Sequence, residues 1–403
     1  MDYEAFFKQK LCDIKDEGRY RVFADLERCA QDFPYAHYYN EGIPRRVVVW
    51  CSNDYLAMAQ HEKVLAAMTE TIARVGVGAG GTRNIAGTSH SHVLLERALA
   101  DLHDKESALI FSSGYVANEA AISALAASLP DCVVFSDAHN HASIIHGIRN
   151  SRAHKEIFRH NDPAHLRACL SRYSKERAKL IIFESVYSMD GDIAPIEAFC
   201  DLAEEFNALT FIDEVHGVGL YGATGGGIAQ RDHQSHRLTM IEGTLGKGFG
   251  VVGGYIAASA VLIDFVRSFA PGFIFTTAMP PAIAAAALAS VQYLKESDTE
   301  RRHLHEAATK VRTKLRQAGI PFMENASHII PILVRDPHHC RRICEILLKE
   351  YNIYVQPINY PTVPRGTERL RITPSAVHTD PMIEDLADAL KRVWADLNLA
   401  YAA

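Results

Sequence analysis

The chain has 403 residues, 48% hydrophobic and 22% charged, with a formal net charge of −6. That length carries a large core and more than one domain, and the composition excludes a disordered chain. The acid excess argues against a general nucleic-acid binder, and no apolar run reaches the roughly 20 residues of a membrane span. Eight scattered cysteines form no disulfide framework and fit a reducing cytoplasm. Met1 to Glu4 carry early acids and no apolar segment, so no secretory or mitochondrial leader is expected.

In chain order, a helix is predicted to about residue 28, followed by a stretch rich in Tyr, Pro and His. Residues 47–50 read as a short strand. Strands are then expected at 109–111, 133–135, 180–183 and 209–212, with helices at 116–127, 141–150 and 195–206 between them. This alternation predicts an α/β fold with a mostly parallel central sheet covered by helices. One long helix is predicted over 282–315, leading to a smaller α+β domain with strands at 327–334, 353–355 and 370–372 and a closing helix over 380–397. The expected division is an N-terminal segment 1–48, a large domain 49–290 and a small domain 291–403. Asp336-Pro337 reads as a helix start. His338, His339, Cys340 and Cys344 behind it lack paired metal-ligand spacing, so no metal site is assigned. The run Gly76 to Gly81 follows a helical stretch, not a strand, and is read as a flexible loop instead of a dinucleotide fingerprint.

The polar residues cluster where predicted strands end, which is where open α/β sheets bind ligands. Phe211-Ile212-Asp213-Glu214-Val215-His216 ends an apolar run in a carboxylate, with an imidazole three residues on. Lys247 follows in the loop Gly243-Thr244-Leu245-Gly246-Lys247-Gly248. A loop amine for covalent attachment and a strand-end acid for a ring nitrogen are what pyridoxal 5′-phosphate (PLP) requires. His216 is a candidate partner for the phenolic oxygen, together with Ser188, and His141 for the ring face. Ser113, Gly114 and Tyr115 open a helix whose N–H groups suit a phosphate. Thr244, Thr276 and Thr277 are candidate hydroxyl donors.

These residues sit in longer stretches. They include Gly18-Arg19-Tyr20-Arg21-Val22-Phe23, Trp50-Cys51-Ser52-Asn53-Asp54-Tyr55-Leu56 and Gly80-Gly81-Thr82-Arg83-Asn84-Ile85-Ala86-Gly87-Thr88. Phe158-Arg159-His160-Asn161-Asp162, Ala270 to Thr277 and Val355 to Gly366 continue the series. Over nearly its whole length the chain resembles the α-oxoamine synthases, PLP enzymes of fold type I that join an amino acid to an acyl-CoA with loss of CO2. The resemblance implies PLP covalent on Lys247, which then serves as base. It implies Arg371 on the substrate carboxylate, Asn53 beside it, and a homodimer in which Thr276 and Thr277 reach the neighbour's phosphate. Arg21, Thr82, Asn84 and Ile85 match the branch that takes glycine and succinyl-CoA, and Ser136, Lys155 and Thr362 match contacts to the CoA-bound substrate. Glycine C-acetyltransferase and 8-amino-7-oxononanoate synthase are sister alternatives within the family, and a catalytically silent partner subunit is another. Gly217 and Gly248 depart from the alanines common in that branch and are read as changes in loop stiffness. His90-Ser91-His92 is more polar than expected beside the acyl loop. The haem-regulatory Cys-Pro dipeptide is absent.

Overall fold

The computed structural model describes every residue except Glu41 and Ala403. The chain divides into two compact units. One holds Met1–Ser52, Met189–Gly191 and Arg302–Ala403; the other holds Asn53–Ser188 and Asp192–Arg301.

The first unit opens with a helix, Tyr3–Asp16, capped by the Asp2 side chain on the Ala5 N–H. It stops well short of residue 28. Gly18 takes φ +68°, the Arg19 N–H closes on the Ile14 carbonyl, and the chain leaves the helix axis. Residues Asp25–Arg28 form strand β1, antiparallel to β2 (Tyr35–Asn40), which pairs antiparallel with β3 (Ile43–Val49).

The second unit is built on seven strands: β4 (Ser107–Phe111), β5 (Val133–Asp137), β6 (His154–Phe158), β7 (Lys179–Glu184), β8 (Leu209–Asp213), β9 (Met240–Thr244) and β10 (Gly254–Ala258). Their order is β4-β10-β9-β8-β7-β5-β6, parallel from β9 to β6, with β10 antiparallel to both neighbours. Strands β5, β7, β9 and β10 are buried at every position, as their largely apolar runs predict for a sheet covered on both faces. Four buried charged residues interrupt that apolarity, Asp137, Lys179, Glu184 and Glu242, and the two glutamates lie beside Asp213 in the sheet register.

The remaining strands belong to the first unit: β11 (Ile330–Leu333), β12 (Ile353–Tyr354), β13 (Pro357–Ile358) and β14 (Arg369–Ile372). Strand β12 joins β3 in parallel, and β11-β14-β13 make a small antiparallel sheet. The long helix predicted over 282–315 is two, Pro281–Glu296 and Thr299–Gln317. Ser297 breaks it by turning extended, and its hydroxyl accepts the Thr299 N–H that starts the second. The helix Pro337–Tyr351 begins where Asp336-Pro337 placed it, with the Asp336 carboxylate on the His339 N–H. Cys340 and Cys344 face inward among Trp50, Ile343 and Leu390, where burial pushes both thiols up.

Candidate active site

Strand β8 delivers Asp213 with its side chain almost fully buried. Asn118 donates to Oδ2 at 2.7 Å and the Val215 N–H to Oδ1 at 2.9 Å. Burying a carboxylate costs several kcal/mol, and each hydrogen bond to a charged acceptor offsets about 1.5–3 kcal/mol. Two such bonds leave work for a cation beside the carboxylate, and a protonated pyridine nitrogen is one.

The Asn118 amide has a second proton, and it goes to Ser143 Oγ at 3.1 Å. Ser143 Oγ lies 2.8 Å from His141 Nδ1, and the Ser143 N–H points to the same nitrogen at 3.3 Å. Nδ1 therefore accepts, and the neutral ring carries its proton on Nε2. Burial holds the His141 imidazole below its ordinary range, with Asp213 pulling it up and Lys247 pushing it down. His141 also caps the helix Ala142–Ser151, and its own N–H reaches Glu184 Oε1 at 2.6 Å. One continuous network thus runs from Asp213 to His141.

A second network holds His216. The Tyr55 hydroxyl lies 2.9 Å from His216 Nδ1 and 2.9 Å from Asn53 Oδ1. Tyr55 and His216 are buried, whereas Asn53 is exposed.

Lys247 sits in the connection between the antiparallel strands β9 and β10. The bonds Leu245 N–H to Gly253 O (2.9 Å), Val251 N–H to Leu245 O (2.8 Å) and Gly250 N–H to Lys247 O (2.9 Å) fold that connection tightly. The half-buried ammonium acts electrostatically on His141, Glu184 and Glu242, so it shares the polar centre around Asp213. Gly217 and Gly248 are fixed by space, not by loop stiffness. A Cβ on Gly217 would fall 1.9 Å from Glu214 Oε2, and one on Gly248 would fall 2.5 Å from the Val218 carbonyl.

The phosphate candidates divide. Ser113 caps the helix Gly114–Ser128 through Oγ on the Val116 N–H. Tyr115 is partly exposed, its hydroxyl bonded to His146 Nδ1. Thr244 donates its hydroxyl proton to the Gly253 carbonyl at 2.9 Å and accepts the Gly246 N–H, so it serves the lysine loop. Thr277 forms a β-bridge with Thr82, and Thr276 beside it is half-buried. Ser188 is half-buried as well.

The acyl-loop residues beyond Thr82 point outward: Asn84 is exposed and Ile85 is 83% exposed. His92 is fully buried, bonded at Nδ1 to Ser89 and at Nε2 to the Met279 carbonyl, so the polarity of His90-Ser91-His92 includes a helix cap. Ser136 is buried with its hydroxyl on the Asn140 amide, whereas Lys155 is exposed on the edge strand β6. In the other unit, Arg21 donates to Thr362 Oγ1 at 2.9 Å, joining two residues 341 positions apart. Glu17 anchors the same corner through Arg19 and Arg365. Arg371 is buried on β14.

Three site residues escaped the sequence reading: Asn118, Ser143 and Tyr55. Asn118 had a signal, since an amide among the buried alanines of this helix needs a partner.

The profile of the class I and II aminotransferases matches residues 45–390. A 5-aminolevulinate synthase of Rhizobium meliloti is 58% identical over 402 residues, covering all of both chains. One from Bradyrhizobium diazoefficiens is 55% identical, covering 99% of this chain and 98% of the other. This chain belongs to the 5-aminolevulinate synthases. Among solved structures, a serine palmitoyltransferase from S. paucimobilis bound to PLP and myriocin superposes with a TM-score of 0.91 at 29% identity, covering 99% of this chain and all of the other. The match to that family establishes the fold-type I architecture expected from the alternation of strands and helices. Among the described residues, no helix is long and apolar enough to cross a membrane.

Proposed function

We propose that this synthase condenses glycine with succinyl-CoA, giving 5-aminolevulinate, CoA and CO2. The observation that carries this is the full-length kinship with 5-aminolevulinate synthases. The buried, hydrogen-bonded Asp213, the half-buried Lys247 and the two oriented histidines support it.

These residues fit PLP. Asp213 would hold the ring nitrogen, His141 the ring face, and His216 with Ser188 the phenolic oxygen. The N-terminus at Ser113, Gly114 and Tyr115 would hold the phosphate, and Lys247 the aldehyde. Bound there, the cofactor supplies an electron sink conjugated to the substrate amine.

The chain's own residues do the rest. Lys247 would hold the cofactor aldehyde and, as a free amine, would remove a Cα proton from glycine. Asp213 would face and stabilise the positive charge on the ring nitrogen. Arg371 pairs bidentately with the glycine carboxylate and so selects which Cα bond breaks, with Asn53 supporting that carboxylate. The His141 Nε2–H stabilises charge developing on the thioester oxygen as the new carbon–carbon bond forms. CoA leaves as thiolate, the former glycine carboxylate leaves as CO2, and Lys247 returns a proton to the carbon.

Arg21 with Thr362 would take the succinyl carboxylate, and Ser136 and Lys155 the CoA portion. Thr82 is bridged to Thr277. If Thr276 and Thr277 serve a neighbour's phosphate, then Thr82, Asn84 and Ile85 serve that neighbour's acyl site. Exposed Ile85 and Phe275, 83% and 80% exposed, fit burial by a second copy in a homodimer. The cytoplasm suits these substrates.

The test is product formation by the PLP-loaded protein with glycine and either succinyl-CoA or acetyl-CoA. Strong preference for succinyl-CoA is expected. Preference for acetyl-CoA would overturn the roles of Arg21 and Thr82, and condensation with neither would overturn the reading as a whole.

A further inference from the structure

Three acids stand side by side across the centre of the sheet. Glu184 on β7 is the register partner of Asp213 on β8, and Asp213 is the partner of Glu242 on β9. Register partners on adjacent parallel strands share a face. All three side chains are buried. They differ in how many donors serve them. Asp213 accepts from Asn118 and the Val215 N–H, and Glu184 accepts the His141 N–H. Neither oxygen of Glu242 has a partner when it is counted as an anion.

A buried carboxylate with no donor is the least tolerable of the three charges, so the proton belongs there. As an acid, Glu242 must find an acceptor for its O–H, and the anion sharing its face is Asp213. We infer that Glu242 is a positioning residue, held as a neutral carboxylic acid whose O–H donates to the Asp213 carboxylate. A carboxylate offers about four acceptor positions. Asn118, Val215 and Glu242 would fill three of them and leave one for the ring nitrogen.

A second observation agrees. Glu242 Oε1 lies 3.0 Å from where a Cβ on Gly114 would stand, so the acid packs against the first residue of the helix proposed to cradle the phosphate. An anion there would compete with a phosphate dianion for the helix N-terminus; a neutral acid does not. Burial pushes the Glu242 carboxyl well up, and Asp213 pushes it further. The charged and titratable groups around the pair are Glu184 on β7, Glu214 at the end of β8, Tyr255 on β10, His141, and Lys247 in the β9–β10 connection. Among these groups only Lys247 opposes protonation of Glu242.

This inference rests on the PLP reading only for its effect on the cofactor, and two measurements separate them. The first is infrared spectroscopy of the cofactor-free protein against Glu242→Gln. Loss of a buried protonated-carboxyl band in the variant is expected, and a difference in carboxylate bands alone would overturn the inference. The second is the acid limb of glycine α-proton exchange and of cofactor absorption in the PLP-loaded protein. Gln keeps a donor, so Glu242→Gln should leave that limb in place. Glu242→Leu removes the donor and should move the limb up by about one pH unit. If Glu242 is instead ionised, both variants remove a like charge and move the limb down, which overturns the inference. No shift in either variant overturns it too. Failure of PLP to bind at all would sink the functional reading and leave the infrared result standing.

Discussion

The residues proposed for the cofactor and those proposed for the acyl chain are built in opposite ways. Asp213 with Asn118, and His216 with Tyr55, are buried and tied in two pairs by bonds of 2.7 and 2.9 Å. Arg21, Asn84, Ile85, Lys155 and Thr362 are exposed, with Ser136 the buried exception, and Arg21 and Thr362 are bonded to each other. A cofactor that stays bound rewards groups locked in place before it arrives, because no reorganisation is then needed during reaction. A substrate that must enter and leave is met by side chains near the surface, whose burial comes with the substrate or a second subunit. Substitutions in the buried set should therefore act on rate, and those in the exposed set on affinity.

The largest effect tests the first half of that contrast. Lys247→Ala should retain PLP non-covalently and lower turnover by at least about 10⁴-fold, since both the attachment and the base are lost. Absorption spectra and product assays would check it, and near-normal turnover would break the assignment. Asp213→Ala comes next, with glycine α-proton exchange expected to fall on the order of 10³-fold. If exchange survives while PLP binding weakens, Asp213 is a grip and not an electronic partner, and the contrast between rate and affinity loses its main support.

How much of this was legible in the sequence follows the same division. Lys247, Asp213 and His216 stand at strand ends and in a glycine-flanked loop, so local pattern alone pointed to them. Asn118, Ser143 and Tyr55 join the site through partners 25 to 161 residues away as well as local ones, and no periodicity encodes the long separations. The joining of Arg21 to Thr362 was implied only by resemblance, because a lone exposed arginine after a helix has no local signature. Among the elements, the central strands stood out as continuous apolar runs. The first helix was drawn too long because the Asp25–Arg28 strand carries three charges in four residues and owes its state to pairing with β2. The break at Ser297 was missed because apolar periodicity continues on both sides of it.

Arg21→Leu examines the exposed half. A charge-assisted hydrogen bond of about 1.5–3 kcal/mol corresponds to a rise of roughly 10–100-fold in the succinyl-CoA KM. Glycine exchange, which needs no acyl donor, should be unchanged. A fall in kcat at unaltered KM would show that Arg21 belongs with the locked residues after all.

The smallest effect is the most discriminating, because Tyr55 is buried like the cofactor residues yet bonds exposed Asn53. Its single proton can go to His216 Nδ1 or to Asn53 Oδ1, both at 2.9 Å. If it goes to His216, the neutral imidazole carries its other proton on Nε2 and is a donor there, as a phenolic oxygen requires. Tyr55→Phe removes that control with almost no change in volume. The loss of one hydrogen bond, about 0.5–1.5 kcal/mol, should lower kcat roughly 2–10-fold. It should also alter the pH dependence of cofactor absorption, because the His216 tautomer is no longer fixed from Nδ1. The succinyl-CoA KM should stay where it is. A changed KM with an unaltered spectrum would mean that Tyr55 serves Asn53 and the substrate side, moving one buried residue across the division on which the other predictions rest.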